Sequence, residues 1–431
     1  MDPHLRTNLE RKVLSKAFNP KHNDISHKED FPTFSLSQKL RQSVTQGSQG
    51  ELSRGFSISQ SFQQIFLNTK DYDFSGISTD LDEDLALRLR DLVAASAPMT
   101  RIALPGRKLV VQELTFRVPV TIGGTAGTVI EVSTGPLEVD FSGYIDPTPD
   151  TFEKATFCEL ALFFPAKPQQ PGPRPQLFTL KSPGSRLELR DCFLTSNAYK
   201  RHITEETPSV AYCIDGVTGV SVAIRSCNVL GFTQVVEIDS NSTLFIEKCH
   251  LEECQSDFLS AHSPKSVLVE ESVFERGHGS GLKVNFAPTS RRGTSGTYTS
   301  AGKEQKDKGK EIRMEACEIR HIDGCGVQIW SESSYPLDLS ILLNHNRVSE
   351  CKAEAVSLKH ISLKSLQIAS NDMSCNQGSG LWLQKVRSTG EESVLLSFNR
   401  AFDSYAGYGI YLYDAFAVLD NNECFRNNCK D

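Results

Sequence analysis

The sequence is poor in the features that mark membrane, secreted, nucleic-acid-binding and zinc-binding proteins. No apolar run approaches the ~18 residues of a membrane span. The first residues, Met-Asp-Pro-His-Leu-Arg, lack the basic-then-apolar order of a secretory signal. There is no basic excess: 46 Lys and Arg stand against 53 Asp and Glu, a net charge of −7, which argues against a nucleic-acid partner. No Cys-x-x-Cys pair occurs, so the usual zinc-ligand spacing is missing. These absences lead to the expectation of a soluble cytoplasmic chain with no membrane span, no metal and no cofactor.

What the chain does have is a phrase that returns. Leu-Glu-Leu-Arg-Asp-Cys ends at Cys192, Val-Ala-Ile-Arg-Ser-Cys at Cys227 and Leu-Phe-Ile-Glu-Lys-Cys at Cys249. The same pattern closes on Ser272 and Cys317, then on asparagine at Asn346, Asn371, Asn399 and Asn422. Steps of 22 (227 to 249), 23 (249 to 272 and 399 to 422) and 25 (346 to 371) separate the closing residues, and longer steps need only inserted loops. Within each phrase the apolar residues alternate, as in a strand with one buried face. A second short apolar group follows, such as Val273-Phe274, and a third after a polar turn, such as Leu282-Lys-Val284 or Leu381-Trp-Leu383.

Three short strands per repeat of this length predict an all-β fold, a right-handed parallel β-helix. One coil cannot bury its own interior. Stacking coils ~4.8 Å apart pairs every strand with the one above and below. Like residues then form ladders, with Asn bonding to the neighbouring backbone and Cys filling the same slot as a small apolar group. Cys192, Cys227, Cys249, Ser272, Cys317, Asn346, Asn371, Asn399 and Asn422 are therefore read as one structural column, with the closing Cys or Asn turning the chain. Cys254 and Cys351 share a second offset. Neighbouring coils hold Cβ atoms about one strand spacing apart, beyond the ~3.8 Å that a disulfide prefers, so the thiols are read as reduced.

Residues 1–77 are polar and weakly periodic and read as an extended or disordered arm with short helices. Residues 78–98 read as a capping helix, with Thr79 or Asp80 as N-cap and Leu81, Leu85, Leu89 and Leu92 as its apolar stripe. The β-helix is assigned to 99–431, with inserted loops at 165–176 (Pro-rich) and 287–310. The second loop carries six bases (Arg291, Arg292, Lys303, Lys306, Lys308, Lys310) against Glu304 and Asp307, a net charge of +4. The last coil shows no amphipathic cap, and an open parallel edge invites another chain.

The chemical candidates are few. Gly277-His278-Gly279 matches a motif of polygalacturonase-like hydrolases, but their Asn-Thr-Asp, paired-Asp and Arg-Ile-Lys motifs do not occur, so it reads as a turn. Asp215, Asp239 and Asp257 fall near turns at different coil offsets and read as solvated. Histidines 202, 262, 321, 345 and 360 are scattered. Tyr405, Tyr408, Tyr411, Tyr413 and Phe416 form an aromatic run in the last coils that is equally readable as a partner-binding patch or as rings packing along a sheet. No catalytic, cofactor-binding or metal-binding residues are assigned.

The entry segment Ile102-Ala-Leu-Pro-Gly-Arg107, the later Val120-Thr-Ile-Gly-Gly124 and the Cys/Asn-closed repeats resemble the intracellular β-helix proteins of the SHC SH2-domain-binding protein 1 and F-box protein 11 type. The resemblance covers roughly residues 99–431. Residues 1–98 show neither a three-helix F-box nor the long helical domain of the SHC-binding members. The resemblance implies a non-enzymatic protein-interaction scaffold of a cytoskeletal, spindle, axonemal or ciliary assembly. Partners would engage the arm, the inserted loops and the C-terminal coil. The alternative is a carbohydrate-active β-helix enzyme, a polysaccharide lyase or glycoside hydrolase, with an unrecognised site.

Overall fold

Short alternating segments such as Leu244-Phe-Ile246 bury every second residue, and three of them per coil wind into stacked parallel sheets. The computed structural model describes residues 83–125, 127–144, 153–168, 173–199, 209–287, 309–332, 336–389 and 394–428, all within one compact unit, Gln49–Asp431. The expected arm over residues 1–77 lies outside them. Each coil visits a first, a second and a third sheet, of 12, 12 and 11 strands. Within these three sheets every strand pairs in parallel with its counterpart one coil away. Leu244 sits beside Val267 and Ile246 beside Val269; these in turn face Ile312 and Met314. All six are buried. In the early coils the interior is filled by Phe116, Phe157 and Phe178, whose rings meet edge-to-face at 5.4 and 5.1 Å.

Helix α1, Glu83–Ala95, packs on the first-coil strands Lys108–Val111 and Leu114–Phe116. Leu89 and Val93 are buried, whereas Leu92 is 55% exposed. The expected stripe is corrected here: from Leu89 the buried face continues four residues on at Val93, not three on at Leu92, as the drift of a 3.6-residue period allows. The expected N-cap, Leu81 and the side chain of Leu85 lie outside the described residues.

The corners also differ from expectation. The Cys or Asn that closes each phrase does not turn the chain. The residue before it does. In ten successive coils Glu159, Asp191, Ser226, Lys248, Glu271, Ala316, His345, Ser370, Phe398 and Asn421 hold φ between +47° and +56°. This left-handed residue bends the chain from the first sheet to the second, and the next side chain drops into the interior as the ladder residue. A second left-handed column (Glu253, Arg276, His321, Glu350, Cys375, Asp403, Arg426) joins the second sheet to the third.

The inserted loops are more structured at their ends than the sequence suggests. Lys167–Pro168 pairs antiparallel with Ser209–Val210. Proline is tolerated there because the two-residue ladder is an edge. Lys310 opens the strand Lys310–Glu315 rather than closing a loop. Among the described residues no helix is long and apolar enough to cross a membrane. In the last coil Leu419, in register with the buried Leu396, is 55% exposed.

Candidate functional site: the outer face of the third sheet

The ladder is the internal reference for every outward row. The thiols of Cys192, Cys249 and Cys317 reach carbonyls of Phe157, Ile224 and Val269 at 3.4, 3.4 and 3.6 Å. The backbone N–H of Cys192 donates to Cys227 Sγ, that of Cys249 to Ser272 Oγ and that of Cys317 to Asn346 Oδ1. Above this the column is all amide. The N–H groups of Asn346, Asn371 and Asn399 donate to the next Oδ1 at 2.9, 3.1 and 3.1 Å. Nδ2 of Asn346, Asn371, Asn399 and Asn422 donates to the carbonyls of Met314, Leu343, Ile368 and Leu396. A shorter second column repeats the arrangement, with the Cys351 N–H on Asn376 Oδ1 at 2.9 Å. Burial pushes the Cys249, Cys254 and Cys317 thiols up to about 12. The described cysteines are free thiols.

With the interior so fixed, register alone decides which side chains meet on the outside. On the third sheet one outward row runs Glu138, Thr179, Asp215, Glu237, Ser260, Lys283, Gln328, Ser357, Trp382, Tyr411. Beside it run His262, Asn285, Trp330, Lys359, Gln384 and Tyr413. Neither row contains an aliphatic residue. The insertions fall at chain joints that lead into or out of this sheet. Residues 164–175 and 196–211 lie between strands of the second sheet and the third, and residues 287–309 lie between the third-sheet strand Leu282–Phe286 and the first-sheet strand Lys310–Glu315.

At the early end of the face, Asp215 is no turn residue. It lies on the strand Tyr212–Gly216, directly beside Glu237. This corrects the reading of Asp215 as a turn residue: it is a part-exposed strand residue whose neighbour is a glutamate 22 residues on, which no motif scan for paired aspartates would find. Burial and the Glu237 charge push the Asp215 carboxyl above the ordinary carboxylate range. Gln176 donates to Asp215, Arg174 binds Glu237 at 2.6 Å and His262 Nε2 lies 3.7 Å from it. Lys283 pairs with Asp257 at 2.9 Å.

At the late end the aromatic residues gather. Trp382 and Tyr411 lie 4.4 Å apart, and Tyr408 stacks on Tyr411 at 5.0 Å. The ammonium groups of Lys283 and Lys359 lie over Trp330 and Trp382 at 5.8 and 5.5 Å. Tyr411 is thus held between rings, whereas Tyr405, Tyr413 and Phe416 are 62%, 51% and 78% exposed. Elsewhere, His278 Nδ1 lies 2.7 Å from Asp323 and its ring stacks on Tyr199. Gly279 beside it is required by space, since a Cβ would sit 2.4 Å from the Asp257 nitrogen. His321, His345 and His360 are left-handed corner residues; His202 lies outside the described residues. Among the described residues no group of three His, Cys, Asp or Glu is placed to hold a metal.

The comparisons agree with this architecture. The family model for the right handed beta helix region matches residues 212–383. No curated protein matches the chain. Among solved structures, the A-module of Azotobacter vinelandii mannuronan C-5 epimerase AlgE4 superposes with a TM-score of 0.50 at 12% identity, over 81% of this chain and 92% of that one. The AlgE6 A-module gives 0.46 at 10% identity, over 79% and 95%. PfbA, a surface adhesin of Streptococcus pneumoniae, gives 0.37 at 10% identity, over 83% and 91%. At such identity the likeness concerns the fold alone. The chain is an all-β, right-handed parallel β-helix.

Proposed function

We propose that the chain is a non-enzymatic interaction scaffold that holds a protein partner on the outer face of its first sheet. One observation carries this reading. The outward row there runs Ala223, Phe245, Leu268, Arg313, Leu342, Gln367, Leu395, Val418 in register, largely apolar and mostly part-exposed to exposed. An outward apolar row on a rigid sheet is the kind of surface a protein partner covers. The exposed Tyr405, Tyr413 and Phe416 extend the apolar surface available in the last coils. A cytoskeletal, spindle or ciliary setting is the part of the proposal that rests on the family resemblance. Proximity labelling with the full chain tests it, alongside the double variant Leu268→Glu/Leu342→Glu. The scaffold reading expects a reproducible neighbour set that the double variant loses while its thermal melt is retained. An unchanged neighbour set, or none, sinks it.

A second reading, a carbohydrate-active enzyme, is favoured by one specific feature: the Asp215–Glu237 pair. A carboxyl with a raised pKa beside a second carboxyl group is an arrangement that glycosidic bond cleavage uses. Incubation with polyuronides and neutral glycans, followed by product analysis, tests it. Activity lost in Asp215→Asn would establish it, and absence of turnover across both substrate classes would remove it.

A further inference from the structure

Two columns run into the last described coil, and each reaches it with one half of its next pairing on show. The first is the ladder. The N–H groups of Asn346, Asn371 and Asn399 each donate to the Oδ1 of the next asparagine, whereas among the described residues nothing accepts from the N–H of Asn422. The second column is ionic and runs along the outer face of the second sheet. Register sets Glu318, Arg347, Asp372, Arg400 and Glu423 side by side, so the charge alternates from coil to coil. Arg400 lies 3.8 Å from Asp372 and 3.4 Å from Glu423, and the Glu423 side chain is 65% exposed. The interior opens at the same level. Leu419 is exposed beside the buried Leu396, and Cys424 is exposed beside the buried Ala401.

We infer that this edge receives one further rung from a protein partner of defined chemistry: an extended segment carrying an apolar residue, two spacers, an asparagine and a base. The order is that of Leu396-Ser-Phe-Asn399-Arg400 one coil earlier. In parallel register the apolar residue covers Leu419. The asparagine Oδ1 accepts from the Asn422 N–H, and its Nδ2 donates to the Leu419 carbonyl, as Asn422 itself donates to Leu396. The base faces Glu423 and continues the alternation of charge. Main-chain groups along the strands Val418–Asp420 and Glu423–Phe425 pair with the backbone of the added segment. An acidic segment would be repelled by Glu423, and a wholly apolar one would leave the Asn422 N–H without an acceptor. A second copy of this chain fits less well. Its first-coil strands are packed against α1. Two copies meeting end to end about a two-fold axis would pair antiparallel, out of the register that both columns need. The site is independent of the apolar row proposed above. Leu268 and Leu342 belong to strands away from this edge, so the two readings fail separately.

The probe is an acetylated and amidated peptide with the sequence of residues 393–403, Ser-Val-Leu-Leu-Ser-Phe-Asn-Arg-Ala-Phe-Asp, passed over the immobilised full-length protein in surface plasmon resonance. Saturable binding is expected. Arg400→Glu or Asn399→Ala within the peptide is expected to weaken it about tenfold or more, and neither change touches the fold of the protein. Glu423→Lys in the protein is expected to lose the arginine peptide by the same factor and to gain the glutamate peptide, with its thermal melt retained. Non-specific adhesion to the exposed apolar edge would not produce that exchange. Absence of saturable binding at millimolar peptide overturns the proposal, and so does equal affinity for the arginine and glutamate peptides. A dimer of the free protein, seen by light scattering and converted to monomer by Glu423→Lys, would assign the edge to a second copy and overturn it as well.

Discussion

From Cys192 to Cys317 the corner column is stitched by thiols and one hydroxyl, and from Asn346 to Asn422 by carboxamides. The two stretches occupy the same place in the coil and reach the same targets, a carbonyl of the preceding coil and an N–H within the column. They differ in bond strength and number. Asn371 Nδ2 contacts Leu343 O, Ala369 O and Asn399 Oδ1 within 3.0 Å, while its Oδ1 accepts from Asn346. Cys249 offers one weak S–H donor at 3.2–3.4 Å. A sulfur fills space and tolerates loss, whereas an amide binds neighbours that are left unpaired without it. The late coils should therefore depend on their ladder far more than the early ones.

The largest expected effect is in the amide stretch. Asn371→Ala strands the Asn346 N–H and the Leu343 carbonyl in the interior and should cost about 3 kcal/mol, measured by denaturant unfolding. Hydrogen exchange at the Asn346 amide should accelerate with it. If Asn371→Ala costs no more than Cys249→Ala, the contrast between the two stretches is broken. A graft sharpens it: Asn371→Cys should fall between, at about 2 kcal/mol, because volume is partly kept and bonds are lost. Cys249→Ala itself should cost only about 1 kcal/mol, the loss of a small buried group.

Alkaline pH probes the buried thiols, those of the ladder among them. Burial raises the folded-state thiols of Cys249 and Cys317 from 9.0 to about 12. Between these values the unfolded chain releases protons that the folded chain keeps. The associated stability is thus complete below pH ~9 and is lost as pH rises toward about 12. Melting temperature should fall across that window, and less steeply in Cys249→Ala/Cys317→Ala. A parallel decline in the variant would assign the loss to other groups. The smallest effect is kinetic. Alkylation near pH 8 should modify the exposed Cys424 well before any ladder cysteine, read by peptide mass mapping.

The alternation of Leu187 and Leu189, or of Val267 and Val269, made the strands and their stacking legible, because period-2 burial and a fixed repeat leave one architecture. The corner geometry was hidden for a physical reason. The left-handed position holds Asp, Ser, Lys, Glu, Ala, His, Phe and Asn in different coils, so no residue type announces it. Neighbouring backbone bonds impose the conformation against a modest local penalty. The candidate site was hidden too. Asp215 and Glu237, or Ser357 and Trp382, become neighbours only through coil register, and the intervening residues give no local signal. Leu92 was misplaced because a single helix stripe does not say on which side its last turn closes.

The first-to-second corner keeps two residues in every coil from Glu159-Leu160 to Asn421-Asn422, while chain length varies at the other two joints. An extra residue there would move the ladder side chain out of the interior and turn the next strand's apolar face outward. The corner therefore acts as a ruler. It confines insertions to the two joints that lead into and out of the third sheet, while the first-to-second corner keeps its gauge.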